Sequence, residues 1–188
     1  MFARTERLLL RPGWTQDAPA LFEAIGDEAI VRNLASAPWP YGMADALSFL
    51  ATERDPAEPA SLIFRRTSGA PQLVGTIGIG CRPDGERELG YFIARRFWGQ
   101  GFATEAGRAV IDFARDSLRL PKLSAGYFLD NPASGRVLEK LGFRATGAIA
   151  QRYSAGRREA AASRLLELEL AEPEARAPVR DCMEMIAA

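Results

Sequence analysis

The 188 residues are 47% hydrophobic and 26% charged, a composition that suits one globular domain with a full core and excludes a disordered or collagen-like chain. Lys and Arg total 24 and Asp and Glu total 24, so net charge does not favour a partner held by phosphate neutralisation, such as nucleic acid. There is no histidine, which removes Ser-His-Asp triads, Cys-His pairs and His-containing zinc sites together.

In chain order, residues 6–12 read as a first strand, apolar in the middle and stopped by Pro12-Gly13. Thr15 is placed to cap a helix over 17–25, and Asp27 to start another through 34, with Ala20, Leu21, Ala24 and Ile25 at helical spacing. Residues 36–43 form a loop with two prolines that carries Trp39 and Tyr41. Helical spacing returns over 44–54 through Leu47, Phe49 and Leu50. Strands are predicted over 61–66, 72–81 and 87–94. Their short connections, Ser68-Gly69-Ala70-Pro71 and Pro83-Asp84-Gly85, make them antiparallel neighbours. A glycine-containing loop over 96–101 then enters a helix over 103–117, with Ala106, Val110, Phe113 and Ala114 on one face. Residues 122–129 are a strand, 131–141 a helix closed by Gly142, and 144–153 with 163–171 a last hairpin. The order implies a single mixed α+β layer domain over 1–171 followed by a tail over 172–188.

The two cysteines, Cys81 and Cys182, lie far apart with no ligand-like spacing, so neither a metal site nor a disulfide framework is expected. Residues 1–7 lack the apolar core of a signal peptide, and no apolar run approaches the ~20 residues needed to cross a bilayer. A cytoplasmic chain without a membrane partner is expected.

The stretch from Arg95 to Ala106 carries the clearest chemistry. Arg96-x-x-Gly99-x-Gly101 stands between a predicted strand and a predicted helix. Glycines let the backbone turn tightly. The first N–H groups of a helix lack intrahelical partners and, with the helix dipole, make an anion site to which Arg96 can add a charged fork. The spacing is neither the dinucleotide fingerprint nor a Walker loop. Gly75, Gly78 and Gly80 repeat the glycine spacing inside a strand with no helix after it, and read as positions where another backbone or a flat ligand comes close.

Arg96-x-x-Gly99-x-Gly101-x-Ala103-Thr104-Glu105, followed by Asn131-Pro132-Ala133-Ser134 and Leu138-Glu139-Lys140-Leu141-Gly142-Phe143, resembles the GNAT acyltransferase superfamily. Glu6-Arg7-Leu8-Leu9-Leu10-Arg11 and Trp39-Pro40 resemble its ribosomal-protein N-terminal acetyltransferase subgroup. The resemblance spans residues 4–171. It implies a strongly twisted, mostly antiparallel sheet of about seven strands, split by a V that holds acetyl-CoA; the oligomeric state stays open between a monomer and a homodimer. Pantetheine would pair with backbone near Phe92, Ile93 and Ala94. Diphosphate would sit on amides from Trp98 through Thr104, which include Gly99, Gln100, Gly101, Phe102 and Ala103. Asn131 would contact the coenzyme as well as cap its helix.

Acetyl transfer to an amine needs a neutral nucleophile, donors for the developing oxyanion and a proton for the leaving thiolate. Without histidine the base is a carboxylate, a tyrosine or a water chain. Glu88, on the strand leading to the glycine loop, is the candidate, through a water, with Glu86 as its rival. Many GNAT enzymes use a tyrosine four residues before the Gly-Phe pair as proton donor. That position is Leu138 here, and the resemblance transfers the role to Ser134, with Tyr127 and Tyr153 as alternatives. The oxyanion donor would be a backbone N–H near Ile93. Trp39 and Tyr41 either line an acceptor pocket or anchor their loop. Arg152, Arg157 and Arg158 either attract an acidic acceptor or form a solvated charged turn. No metal is implied. The acceptor stays open between a peptide N-terminus and a small amine such as an aminoglycoside, polyamine or amino acid. A non-catalytic acyl-CoA-binding module and a nucleotide-phosphate binder are the rival classes.

Overall fold

A computed structural model of the protein describes residues 1–82 and 84–170. Pro83, Ala171, Cys182 and the predicted tail over 172–188 lie outside the described residues.

Strands β1 (Ala3–Arg4), β2 (Leu8–Arg11), β3 (Ala60–Arg65), β4 (Gln72–Cys81), β5 (Arg87–Ile93), β6 (Lys122–Phe128), β7 (Arg144–Ser154) and β8 (Glu159–Glu169) form one sheet, in the order β1-β2-β3-β4-β5-β6-β8-β7. The helices are α1 (Ala18–Ile25), α2 (Glu28–Val31), α3 (Met43–Ala51), α4 (Phe102–Asp116) and α5 (Pro132–Lys140). The sheet has eight strands against the expected seven, because the two residues of β1 fold back on Leu9 and Leu10.

Strand alternation builds the core. Leu8 and Leu10 are fully buried while Leu9 between them is half-buried, and Leu62, Ile63, Val74 and Ile77 fill the centre. Each such side chain contributes about 2 kcal/mol by leaving water. α1 and α3 pack together on one side of β4 and β5, and α4 with α5 on the other. The stripe of α4 that meets the sheet is Phe102, Ala103, Ala106, Gly107, Val110, Ile111 and Ala114. Phe113, expected on that stripe, is only half-buried.

Helix starts follow side-chain capping. The Asp27 carboxylate accepts the Ala29 amide at 2.8 Å, and Asp45 accepts the Gly42 amide at 2.8 Å. The first helix starts later than expected. A three-ten turn over Thr15–Asp17 precedes it, and Asp17 rather than Thr15 holds the entry, accepting the Trp14 amide at 2.8 Å and both ends of the Arg11 guanidinium.

The last hairpin differs more. Residues 159–162, Glu followed by three alanines, lack β-propensity and were expected in a loop; they pair instead with β7, leaving only 155–158 as the turn. Every neighbouring pair of strands is antiparallel except β5 and β6, which α4 connects. These two share a single bridge, Glu88 opposite Ser124, and then part.

Candidate active site

The parting of β5 from β6 exposes main-chain groups in a fixed phase. In an antiparallel ladder both polar groups of a residue face the same neighbour. The Arg82 amide donates to the Glu86 carbonyl at 2.9 Å and the Ala94 amide to the Val74 carbonyl at 2.7 Å. Glu88, Gly90, Phe92 and Ala94 therefore spend their main-chain groups on β4, while Leu89, Tyr91 and Ile93 turn theirs toward β6. Of Phe92, Ile93 and Ala94, only Ile93 offers its backbone to the split, and Tyr91 joins it. The Ile93 carbonyl already accepts the indole N–H of Trp98 at 2.6 Å. On the other flank of β5, a Cβ on Gly75 would lie 2.0 Å from the Phe92 carbonyl oxygen, so that glycine is a close-approach strand position, as read from its context.

Beyond Ile93, a three-ten turn over Arg95–Phe97 leads to Gly99 and Gly101, both left-handed, at φ 75° and 79°. α4 then begins, and its first internal bond runs from the Glu105 amide to the Gly101 carbonyl at 3.0 Å. Among the described residues, the six amides of Gly99, Gln100, Gly101, Phe102, Ala103 and Thr104 meet no acceptor. Trp98, expected to belong to this set, does not, since its amide donates to the Arg95 carbonyl at 3.1 Å. The Phe102 side chain is buried, edge-on to Phe97 with ring centres 6.0 Å apart, which fixes the helix start.

Arg7 and Thr5 tie the same helix to the first hairpin through Glu105. The carboxylate receives the Thr5 hydroxyl at 2.5 Å, the Arg7 amide at 2.9 Å and the Arg7 guanidinium at 2.7 Å. Burial alone would raise the Glu105 pKa, but these hydrogen bonds outweigh it and hold the carboxyl below its usual value. The Arg96 guanidinium, expected over the diphosphate, is paired with Glu23 on α1 while staying half-exposed.

Ser134 lies in the first turn of α5. The Asn131 side chain accepts its amide at 3.4 Å, the capping arrangement, and Pro132 occupies the position where a missing N–H costs nothing. Ser134 Oγ is 2.8 Å from the hydroxyl of Tyr91, reaching over from β5. Burial pushes the Tyr91 pKa up to about 12, against the opposing hydrogen bond from Ser134, so the phenol keeps its proton. The chain read alone missed this partner. Its only signal was that Tyr91 points to the opposite face of β5 from Glu88. The Tyr127 ring lies against α5 where a Cβ on Gly135 would be 2.7 Å from it, and no hydrogen bond links it to Ser134.

Glu88 projects from the other face of β5 and meets Arg152 of β7 in a two-pronged pair at 2.5 and 2.7 Å. Arg152 crosses above β8 and β6 over Gly126, where a Cβ would sit 2.7 Å from its guanidinium. Glu88, the candidate base, is thus held by Arg152, with Arg82 Nε 3.7 Å from the same carboxylate. Glu86 is bound to Lys122 at 2.9 Å, nearer the turn.

The β7–β8 turn folds down onto α2. The Ser154 hydroxyl donates between the Arg32 and Leu34 carbonyls, the Ala155 amide reaches the Ala35 carbonyl at 2.9 Å, and Gly156 lies against Val31. Arg157 is 8% exposed and binds Asp130, Asn33 and the Arg32 carbonyl. Arg158 donates to the Trp39 carbonyl at 2.9 Å. Arg157 thus ties the turn to its neighbours, Arg158 stays exposed, and Arg152 belongs to β7, where it pairs with Glu88. Tyr41 is 8% exposed within the core, and Trp39 packs against that core. Among the described residues, no group of three or more Cys, Asp or Glu side chains is placed to hold a metal, and no helix is long and apolar enough to cross a membrane.

Residues 7–144 match the family described as acetyltransferase (GNAT) domain. The uncharacterised N-acetyltransferase YoaA of Bacillus subtilis (strain 168) is 32% identical over 154 residues, which cover 78% of this chain and 85% of that protein. Among solved structures, a GNAT-family acetyltransferase from Bacillus anthracis superposes with a TM-score of 0.75 at 21% identity, covering 90% of this chain and 98% of the other. RimL, a ribosomal L7/L12 α-N-protein acetyltransferase in complex with coenzyme A, superposes with a TM-score of 0.71 at 17% identity, covering 90% and 98%. The split sheet, with a glycine turn into α4 at its mouth, thus sits inside a family match that takes in every strand from β2 to β6, and the chain belongs to the GNAT acetyltransferase family.

Proposed function

We propose that the protein moves an acetyl group from acetyl-CoA to an α-amine, that of a peptide N-terminus, by direct attack while both substrates are bound. The observation that carries the coenzyme is the run of six unpaired amides at the start of α4, set beside a strand edge whose Tyr91 and Ile93 main chains face a gap. The amides suit a diphosphate, and the strand edge suits the amide groups of pantetheine, added as a strand would be. RimL, which shares the fold and is described with coenzyme A, gives the same expectation.

A C–N bond forms and the C–S bond breaks. A main-chain N–H on the Tyr91–Ile93 edge polarises the thioester carbonyl. The Ser134 hydroxyl gives its proton to the departing thiolate and regains one from water, while Tyr91 holds that hydroxyl in place. The amine's proton goes to a water ordered by Glu88, whose orientation Arg152 fixes.

The acceptor class follows that of RimL, an α-N-protein acetyltransferase that shares the fold. Direct attack needs a neutral amine, so a chain with no histidine to act as base favours an amine that is partly neutral on arrival. An α-amino group, with a pKa of about 7.7–8.0, meets that condition, and a lysine or polyamine near 10.4 does not.

The test is thiol release from acetyl-CoA with peptides bearing a free α-amine, with α-blocked peptides bearing lysine, and with polyamines. Turnover on the α-amine should rise with pH to a plateau with a midpoint at about 8, as the nucleophile loses its proton. Ser134→Ala should lower kcat without changing CoA affinity. Turnover confined to lysine or polyamine refutes the acceptor, and absence of acetyl-CoA binding refutes the coenzyme.

A further inference from the structure

Beside the amide cradle, on the flank away from α5, lies an open pocket of about 400 Å³ lined by Arg7, Arg65, Arg66, Glu6, Gln100 and Phe102. None of the proposed chemistry uses it. Strand pairing assembles it. Arg65 stands opposite Leu8 in the β2–β3 ladder, and the Arg66 amide donates to the Arg7 carbonyl at 2.9 Å, so Arg7 converges with the distant Arg65-Arg66 pair.

Arg7 borders the cradle directly. Its guanidinium donates to the Gln100 carbonyl at 3.1 Å, lies 4.6 Å above the Phe102 ring, and would be 3.6 Å from a Cβ on Gly101. Glu105 neutralises it. Arg66 spends one nitrogen on the Thr5 and Glu6 carbonyls. Among the described residues, neither Arg65 nor Arg66 meets a carboxylate, so their charges face the pocket opposed only by Glu6 at its rim.

We infer that this pocket is a second anion subsite that takes the 3′-phosphate of the coenzyme A ribose, so that the protein distinguishes acetyl-CoA from its dephospho form. This rests on the acetyl-CoA reading above. Coenzyme A carries a diphosphate and, on the adjoining ribose, a phosphate monoester. With the diphosphate on the 99–104 amides, the monoester has to land within one nucleoside's breadth of Gly101. A monoester carries close to two charges at neutral pH and is matched by the forked donors of arginine. Among the pocket's lining residues, Arg65 and Arg66 are the cations not paired with a carboxylate. Arg136, exposed on α5, stands on the other flank and supplies the control.

The experiment is calorimetric titration with acetyl-CoA and with acetyl-dephospho-CoA, which needs no acceptor and no turnover. The native protein should bind acetyl-CoA at least about tenfold more tightly, the worth of a charge-assisted hydrogen bond. The preference should shrink as salt rises. Arg65→Ala/Arg66→Ala should bring the two ligands to near parity by weakening acetyl-CoA alone. Arg65→Lys/Arg66→Lys should keep part of the preference, which separates lost charge from lost folding. Equal affinities in the native protein overturn the subsite, as does a preference that survives the double alanine change or vanishes only in Arg136→Ala. Failure of both ligands to bind the native protein removes the acetyl-CoA reading itself.

Discussion

Replacing Arg152 by methionine tests whether the Glu88 pair organises the site. The pair is two-pronged, and its side chains are 23% and 22% exposed. Removing one member of a fully buried pair costs about 3–5 kcal/mol, because the other charge is left in a poor solvent. Water reaches roughly a fifth of each side chain here, and Arg82 Nε stays 3.7 Å from Glu88, so the expectation is reduced to about 2–3 kcal/mol. Methionine can follow the same path over Gly126, which keeps a packing void from adding to the loss. For a chain of this size 1 kcal/mol moves Tm by about 2–4 °C, so the variant should melt about 5–10 °C lower. Glu88→Gln, which leaves Arg152 a neutral acceptor, should cost less, and the double variant Glu88→Gln/Arg152→Met should recover part of the loss. Urea unfolding of all four proteins gives the coupling, expected to exceed about 1 kcal/mol. A single Arg152→Met variant melting within about 2 °C of the native protein, or strictly additive changes, would refute the pair as a structural element.

Gly101→Val forces a β-branched residue to φ 79° at the mouth of the cradle. It should cost about 1–2 kcal/mol of stability and weaken CoA binding in titration by more than tenfold, at about 1.4 kcal/mol per decade. Unchanged CoA affinity would separate the glycine turn from the coenzyme. Asp17 predicts the acid limb of stability. Burial raises its pKa, but the Arg11 fork and the Trp14 amide outweigh burial and leave the folded carboxyl below its usual value. Its stabilisation is therefore fully present above the unfolded pKa of about 3.9 and is lost as pH falls through the lower folded value. Urea midpoints measured from pH 6 downward should fall less steeply in Asp17→Asn than in the native protein, and parallel curves would contradict the assignment.

The elements that read correctly from the chain are those with local causes. The β4 boundaries, the turn into α4 through Gly99 and Gly101, the capping of α2 by Asp27 and of α5 by Asn131, and the helix end at Gly142 all depend on residues within a few positions of one another. The same locality made the run of unpaired amides legible, since free amides at a helix start need only the helix and the turn before it. Strand β8 was misplaced at its start because three alanines have no β-propensity of their own, and their pairing with β7 is a tertiary gain.

The site's side-chain partnerships could not be read in this way. Tyr91 meets Ser134 across 43 positions, Arg152 meets Glu88 across 64 and Arg7 meets Glu105 across 98. Nothing in the spacing of these residues marks them as neighbours. A tyrosine buried against a serine and a carboxylate clamped by an arginine depend on which strands lie side by side and which face each residue points to. The amino-acid order by itself determined where unpaired amides gather, because backbone turns are local. Only the folded sheet decided which charges are left free beside them, because ion pairs form between whatever side chains the topology brings within a few ångströms.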